Sequence, residues 1–320
     1  MNKRVRNFSI AGLIALAVIS SGFVVVYMQQ GGAAPLGADV LQVNLPIADV
    51  ETYGAALADQ VAAGDGNGVD MIFRNSAVLI DGDTYYGVNG VHPVQLLNYS
   101  GYYPKSIVAA SLTDDRILRA YSFSAVNGRD VDMEALTFAE AEGMLYIGDE
   151  YNFIYELNLE TGDITREWNL ADVGVRTATD KGIEALTYSP QTGYFYAGIQ
   201  GTGQVIVLSL SLAEGETLTQ VAEFPLPQGW APSGLYAHSD GTLYAVAMSG
   251  NGQEGNQKIF RFEAEGELLC AITIPSDLGI VRPDGINIDE ANALLYIADS
   301  QGPLYDGASL YRLAWTDPCR

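Results

Sequence analysis

The chain has 320 residues and a net charge of −23, with 39 Asp and Glu against 16 Lys and Arg. Phosphate backbones are gripped by clustered Lys and Arg, so nucleic acid is excluded as a partner, and the acidity fits a cation-binding surface or the solubility of a secreted protein. Hydrophobic residues at 48% and charged residues at 17%, with 35 glycines and 19 tyrosines, describe many short strands joined by turns.

Residues 1–30 read as a membrane anchor. Lys3, Arg4 and Arg6 form a basic start, and Phe8 to Met28 then gives 21 residues without a charge. That is longer than the usual apolar core of a signal peptide, about 7–15 residues, and long enough to cross about 30 Å of hydrocarbon as a helix. The basic residues stay in the cytoplasm, so the rest of the chain faces the periplasm or the outside of the cell. A cleaved signal peptide is the alternative, with Ala33–Ala38 as a place for the cut.

Residues 31–70 form a linker and a ring-closing strand. Val40–Leu45 alternates like a strand, Asp49–Ala63 reads as a short helix with Asp49 as its N-cap, and Gly64–Gly68 is a turn. Residues 71–320 carry five repeats that start near positions 74, 132, 182, 231 and 282. Each begins with an apolar strand, a polar turn and a second apolar strand; the second strands carry Tyr146, Tyr196, Tyr244 and Tyr296. A period of about 40–50 residues with several strands per unit predicts a β-propeller, an all-β ring of blades.

In the second repeat the strands are expected at Met133–Phe138, Met144–Ile147, Ile154–Leu157 and Ile164–Trp168. The last repeat runs out after three strands, and Val40–Leu45 is the natural donor of the fourth, which would remove a free sheet edge. The count is therefore five blades. Six is the alternative, if residues 38–70 or 90–115 build another.

Several motifs lead nowhere. Gly250–Gly255 matches G-x-G-x-x-G, but a strand-like Lys258–Phe262 follows where a dinucleotide site needs a helix. Asp65–Asp70 starts like a calcium loop and lacks its sixth-position Gly and closing Glu. His92 and His238 are the only histidines, too few for a zinc site, and His238 sits in a turn that reads as surface. Cys270 and Cys319 are the only cysteines and form a candidate disulfide from the last strand of the fourth repeat to the C-terminus; two free thiols are the alternative.

Aligned on their first strand, the repeats place Ser76, Glu134, Glu184, Ser233 and Asp284 at one position, which in a propeller rings one mouth of the central channel. The second strand runs back to the same face and brings Asn89, Asp149, Glu150, Gln200 and Asp299 there, with Lys181 and Arg282 close by. Glu134, Glu184, Asp284, Asp149, Glu150 and Asp299 are thus candidate metal ligands, and Ser76, Ser233, Asn89, Gln200, Lys181 and Arg282 candidate ligand-binding residues. Crowded carboxylates repel unless a cation lies among them, and oxygen ligands without His or Cys select calcium or magnesium. The structural reading of the same residues is that they lock neighbouring blades together. The tyrosine and phenylalanine positions Tyr146, Tyr188, Phe195, Tyr196 and Tyr296 read as blade core.

At Asp132-x-Glu134, Asp149-Glu150, Gly182–Tyr188, Ser233-Gly234 and Pro283–Gly285 the chain resembles the SdiA-regulated family of membrane-anchored, periplasm-facing propellers. It is more distantly similar to propeller phytases and their esterase-like relatives. The resemblance covers residues 70–315. It departs at Asp284, where the family usually has Glu, and at Gln200, where a charged pair is usual. Members lack an established activity, so it implies fold and compartment rather than a reaction. Three functions follow as expectations: a propeller that binds calcium or another ligand at its acidic mouth, a metal-dependent hydrolase of phosphoesters or lactones with Glu134 as base, or a scaffold for a protein partner.

Overall fold

A repeated hairpin builds the molecule. Its turn needs a left-handed residue, which Gly143 and Gly193 supply at φ 75° and 71°. In the last repeat the same place is held by Ala293 at φ 53°. The computed structural model describes residues 40–45, 51–53, 75–89, 105–114, 117–123, 125–139, 143–177, 181–210, 217–249, 257–300 and 310–320. The anchor expected over residues 1–30, His92 and the motifs at 65–70 and 250–255 lie outside this set. Among the described residues no helix is long and apolar enough to cross a membrane.

Two strands, β1 (Leu41–Asn44) and β2 (Glu51–Tyr53), precede the ring. Blade one is β3 (Asn75–Asp81), β4 (Thr84–Asn89), β5 (Lys105–Ser111) and β6 (Ile117–Phe123). Blade two is β7 (Met133–Phe138), β8 (Met144–Asp149), β9 (Phe153–Asn158) and β10 (Ile164–Asn169), close to the expected strands. Blade three is β11 (Ile183–Ser189), β12 (Tyr194–Ile199), β13 (Gln204–Leu210) and β14 (Leu218–Pro225). Blade four is β15 (Trp230–Ala237), β16 (Leu243–Ser249), β17 (Lys258–Phe262) and β18 (Leu268–Thr273). Blade five is β19 (Pro283–Asp289), β20 (Leu294–Asp299), β21 (Leu310–Ala314) and, returning from the start of the chain, β2.

The ring closes with five blades. The inner strands β3, β7, β11, β15 and β19 each pack on the next, and β19 packs on β3. Two expectations about the closure are corrected. The strand that completes blade five is Glu51–Tyr53, antiparallel to β21, within the stretch expected to be helical. Val40–Leu45 does not fill that place: β1 pairs in parallel with β18 and adds a fifth strand to blade four. Both segments are short and can extend, and local alternation does not say which edge a strand will find. The six-blade alternative falls for the same reason, since β1 and β2 join existing blades and Lys105–Ser111 is the third strand of blade one.

The core lies in the five seams between blades. Each seam holds one buried cluster drawn mainly from its two flanking blades. Tyr146, Tyr196, Tyr244 and Tyr296 are buried in these seams. Tyr146 packs on Phe195 of the next blade with ring centroids 5.1 Å apart. Rings of this size bury about 150–250 Å² each, so every such tyrosine contributes a large share of its seam's apolar burial. Cys270 and Cys319 are joined in a disulfide that ties the C-terminal tail to β18.

His238 is a further correction: it is buried rather than at the surface. Its Nδ1 accepts a hydrogen bond from the Asp240 amide at 3.1 Å, and its Nε2 lies 3.6 Å from the Glu290 carboxylate. Asp240 also pairs with Arg261 at 3.1 Å and with Arg320 of the tail. The turn is polar because it hosts this buried network, and the C-terminus folds over it.

Candidate acidic site at the channel mouth

Each inner strand carries a β-bulge at one place. The pairing of β7 with β8 skips Glu134, that of β11 with β12 skips Glu184, and those of blades four and five skip Ser233 and Asp284. A bulge leaves its extra residue out of the ladder and re-aims its side chain. The residue that follows is small in every blade: Ala77, Ala135, Ala185, Gly234 or Gly285. A Cβ on Gly285 would lie 2.7 Å from the amide nitrogen of Val78, and one on Gly234 2.9 Å from Gly285 Cα. From blade four through blade five to blade one the inner strands therefore touch backbone to backbone, and the bulged residues crowd one mouth of the channel.

The expected acids divide by task. Asp149 accepts the amides of Asp132 at 2.6 Å and Tyr151 at 2.8 Å. Asp299 accepts those of Val281 at 2.9 Å and Arg282 at 3.1 Å. Both fasten the loop that leads into their own blade. Ser233 donates to the Pro283 carbonyl at 2.6 Å, which locks blade four to blade five. Ser76 and Asn89 keep their backbone places on β3 and β4, and their side chains lie outside the described set.

A second group converges. Carboxylate oxygens of Asp132, Glu134 and Glu150 lie within 4.8 Å of one another. The Glu150 carboxyl is in hydrogen-bonding reach of Glu184 and of Asp132. Glu184 also accepts from Gln200 Nε2, and Lys181 Nζ donates to Gln200 Oε1 at 2.6 Å. Arg282 Nε lies 3.2 Å from Asp284 Oδ2. Asp284 Oδ1 is buried without a hydrogen bond of normal geometry among the described residues, and so is the Ser300 hydroxyl beside it.

Asp132 is the ligand candidate that the repeat alignment missed, because it precedes the strand. The signal was present as the Asp132-x-Glu134 pair. The backbone explains the convergence: the Glu150 amide bonds to the Asp132 carbonyl at 2.9 Å, which brings the two side chains together.

Electrostatics follow from burial and crowding. Burial pushes Glu184 well above the usual carboxylate range, and Glu134, Asp284 and Glu150 push it further. Burial and then Asp132 raise Glu150, against the opposing pull of Glu184 and Lys181. Burial raises Asp284 to about 6 even though Arg282 pulls the other way. Asp149 is raised to about 7, again by burial, with its two amide bonds opposing. The mouth thus holds more negative charge than its surroundings support. A proton or a cation relieves it, and the donor set is all hard oxygen, which fits calcium.

The fold and site define a five-bladed propeller with a carboxylate-lined mouth. The family described as phytase-like, with esterase-like activity of phytase, matches residues 97–251, a span that holds Asp132, Glu134, Glu150 and Glu184. The chain is similar to that family over just under half of its length. Among solved structures, the glutaminyl cyclase of Myxococcus xanthus shares the fold at a TM-score of 0.55, with 12% identity over 87% of this chain and 100% of that one. The Cps50 (Swd1) propeller domain of Myceliophteria thermophila aligns at a TM-score of 0.41 and 13% identity, over 71% of this chain and 62% of that domain. No curated protein sequence matches the chain.

Proposed function

We propose that this chain is an exported propeller, held in the membrane by residues 1–30, whose acidic mouth holds a divalent cation, calcium by the chemistry of its ligands. The observation that carries this reading is the meeting of Asp132, Glu134 and Glu150 oxygens within 4.8 Å, with Glu184 against Glu150. Three carboxylates offer up to six hard oxygens, in the range of about 6–8 that calcium takes. Asp284 and Glu184 extend the acidic wall, while Asp149 and Asp299 hold the loops that shape it. The apolar leader and the Cys270–Cys319 disulfide fit the periplasmic side of a membrane. In this compartment and architecture the SdiA-regulated family is the likeness adopted.

The match to the phytase-like family favours a second reading, hydrolysis of an ester or phosphoester at the same mouth. A bound calcium would supply polarisation of the ester oxygen and a more acidic water. From the chain itself, Glu134 would take the proton from water, and Lys181 and Arg282 would face the substrate anion. Both cations are already engaged, by Gln200 and Asp284, which disfavours a highly phosphorylated substrate.

Calcium titration calorimetry of the purified full chain tests the first reading. Wild type should bind saturably, and Glu134→Gln and Glu150→Gln should each weaken binding at least ten-fold. Equal binding by wild type and both variants would refute the site. Turnover of a chromogenic ester or phosphoester that needs calcium and fails in Glu134→Gln would establish the second reading.

A further inference from the structure

The channel has a second mouth. At the far ends of the inner strands it opens into a funnel of about 560 Å³, lined by residues of all five blades. This lies within the range of about 300–1,000 Å³ typical of small-ligand pockets. Val78, Leu136, Leu235 and Ile286 form its floor and also line the channel waist. The waist leaves about 10 Å³, at the lower limit of about 10–15 Å³ needed for one water. The funnel and the acidic mouth are therefore separate compartments.

Its polar groups are of two kinds. Thr137 and Thr187 are spent: their hydroxyls accept the amides of Tyr188 at 3.0 Å and Ala237 at 3.1 Å, from the next blade. The same register position in blade five is Asn287, opposite Tyr296 as Thr137 is opposite Tyr146. Asn287 is only 7% exposed, lines the funnel, and makes no side-chain hydrogen bond among the described residues. Its amide is not among the sealed polar atoms that lack a partner, so it stays open to the funnel and can meet a ligand there. The second kind is charged. Asp81, Asp289 and Glu290 line the funnel, and among its described lining residues there is no Lys, Arg or His. Asp289 also accepts from Asn292, and Glu290 from Tyr236 and Ser239 with His238 Nε2 3.6 Å away, so their negative charge rather than an open valence faces the funnel.

We propose that this funnel is a binding site for a small organic cation with an apolar body. The hydrocarbon would rest on the floor of Val78, Leu136, Leu235 and Ile286. The cationic head would lie among Asp81, Asp289 and Glu290 and donate to the Asn287 carbonyl. Anions are rejected by the same three carboxylates.

The test uses 2-phenylethylamine as probe and phenylacetate as its anionic match, with calorimetry on the full chain in chelator at neutral pH. The amine should bind saturably, and the carboxylate at least ten-fold more weakly. Asn287→Leu should weaken the amine about ten-fold, and Leu235→Trp, which fills the funnel, should abolish binding. Should Leu235→Trp fail to fold, the Asp81→Asn/Asp289→Asn pair must weaken the amine instead. Glu134→Gln, at the other mouth, should leave amine binding unchanged. No saturable amine binding, comparable binding of phenylacetate, or loss of the amine in Glu134→Gln would overturn the proposal.

Discussion

The sharpest test of the acidic mouth is the sign of one stability change. Glu150→Gln keeps the shape of the side chain and removes its charge. Oxygens of Asp132, Glu134 and Glu150 lie no more than 4.8 Å apart. At that separation each like-charge pair costs between about 0.9 kcal/mol in water-like surroundings and about 3.5 kcal/mol at an effective dielectric near 20. The substitution removes two of the three pairs. Proton uptake already relieves part of the repulsion, since Glu150 is raised above its ordinary range. In chelator the variant should therefore be more stable than wild type by about 1–2 kcal/mol, or roughly 2–4 °C in Tm. With calcium the order should reverse. Wild type gains about 2.7 kcal/mol at a hundred-fold excess over Kd, and the variant gains little. Differential scanning calorimetry in both conditions reads the crossing. If Glu150→Gln lowers Tm by the same amount with and without calcium, the carboxylate locks structure and the cation reading fails.

Further outcomes are expected. In chelator, stability should rise as pH falls from about 8 toward 5.5. The folded pKa values of Asp149 and Asp284 are raised to about 7 and about 6, so the fold favours their protonated forms and gives up stability as they ionise. Below that window the trend should turn. Burial raises Asp240, but the Thr242 hydroxyl and amide, His238 and Arg320 together hold it below the usual range, and Glu290 is likewise low, so their contributions vanish in acid. Urea melts across pH would show a maximum in the mildly acidic range, and a flat profile would refute the assignment. Cys270→Ala/Cys319→Ala opens a loop with a sequence separation of 49 residues. Chain entropy sets its cost near 4 kcal/mol, roughly 8 °C in Tm, and reduced wild type should match the variant. Gly285→Ala would press a Cβ to 2.7 Å from the Val78 nitrogen and should destabilise the fold by roughly 1–3 kcal/mol in chemical denaturation. Ala293→Gly relieves a left-handed alanine and should stabilise by about 1 kcal/mol, with no change if the turn simply relaxes.

What the sequence made legible was what repeats. Tyrosines about 50 residues apart identified the blades, because a seam buried on both sides demands a large apolar ring at each turn of the pattern. The mouth residues were legible for the same reason. What repeats did not encode went astray. Residues 40–45 and 51–53 are single copies, and their partners, β18 and β21, lie more than 200 residues away. His238 read as surface because part of its cover is distant in sequence: Glu290 of blade five lies by its Nε2, and Arg320 of the tail pairs with the neighbouring Asp240. The bulge could be inferred only afterward, from the small residue behind each mouth position.

That small residue links the parts of the molecule. Ala or Gly stands at 77, 135, 185, 234 and 285, and at Gly234 and Gly285 the inner strands approach until backbone meets backbone. The approach narrows the waist to about 10 Å³ and divides the channel into two compartments. It also brings the bulged residues of the ring together, so Glu184 feels Glu134 across the seam with blade two and Asp284 of blade five from beyond blade four. The charge density of the mouth is thus a consequence of how tightly the ring closes, and not of the number of acids in the chain. Asp149 and Asp299 support this view: they are carboxylates equally close in sequence, yet their oxygens are taken up by backbone amides. A cation at the mouth would bind a geometry that the whole ring sets. Loosening any seam should therefore weaken binding, even where no ligand is touched.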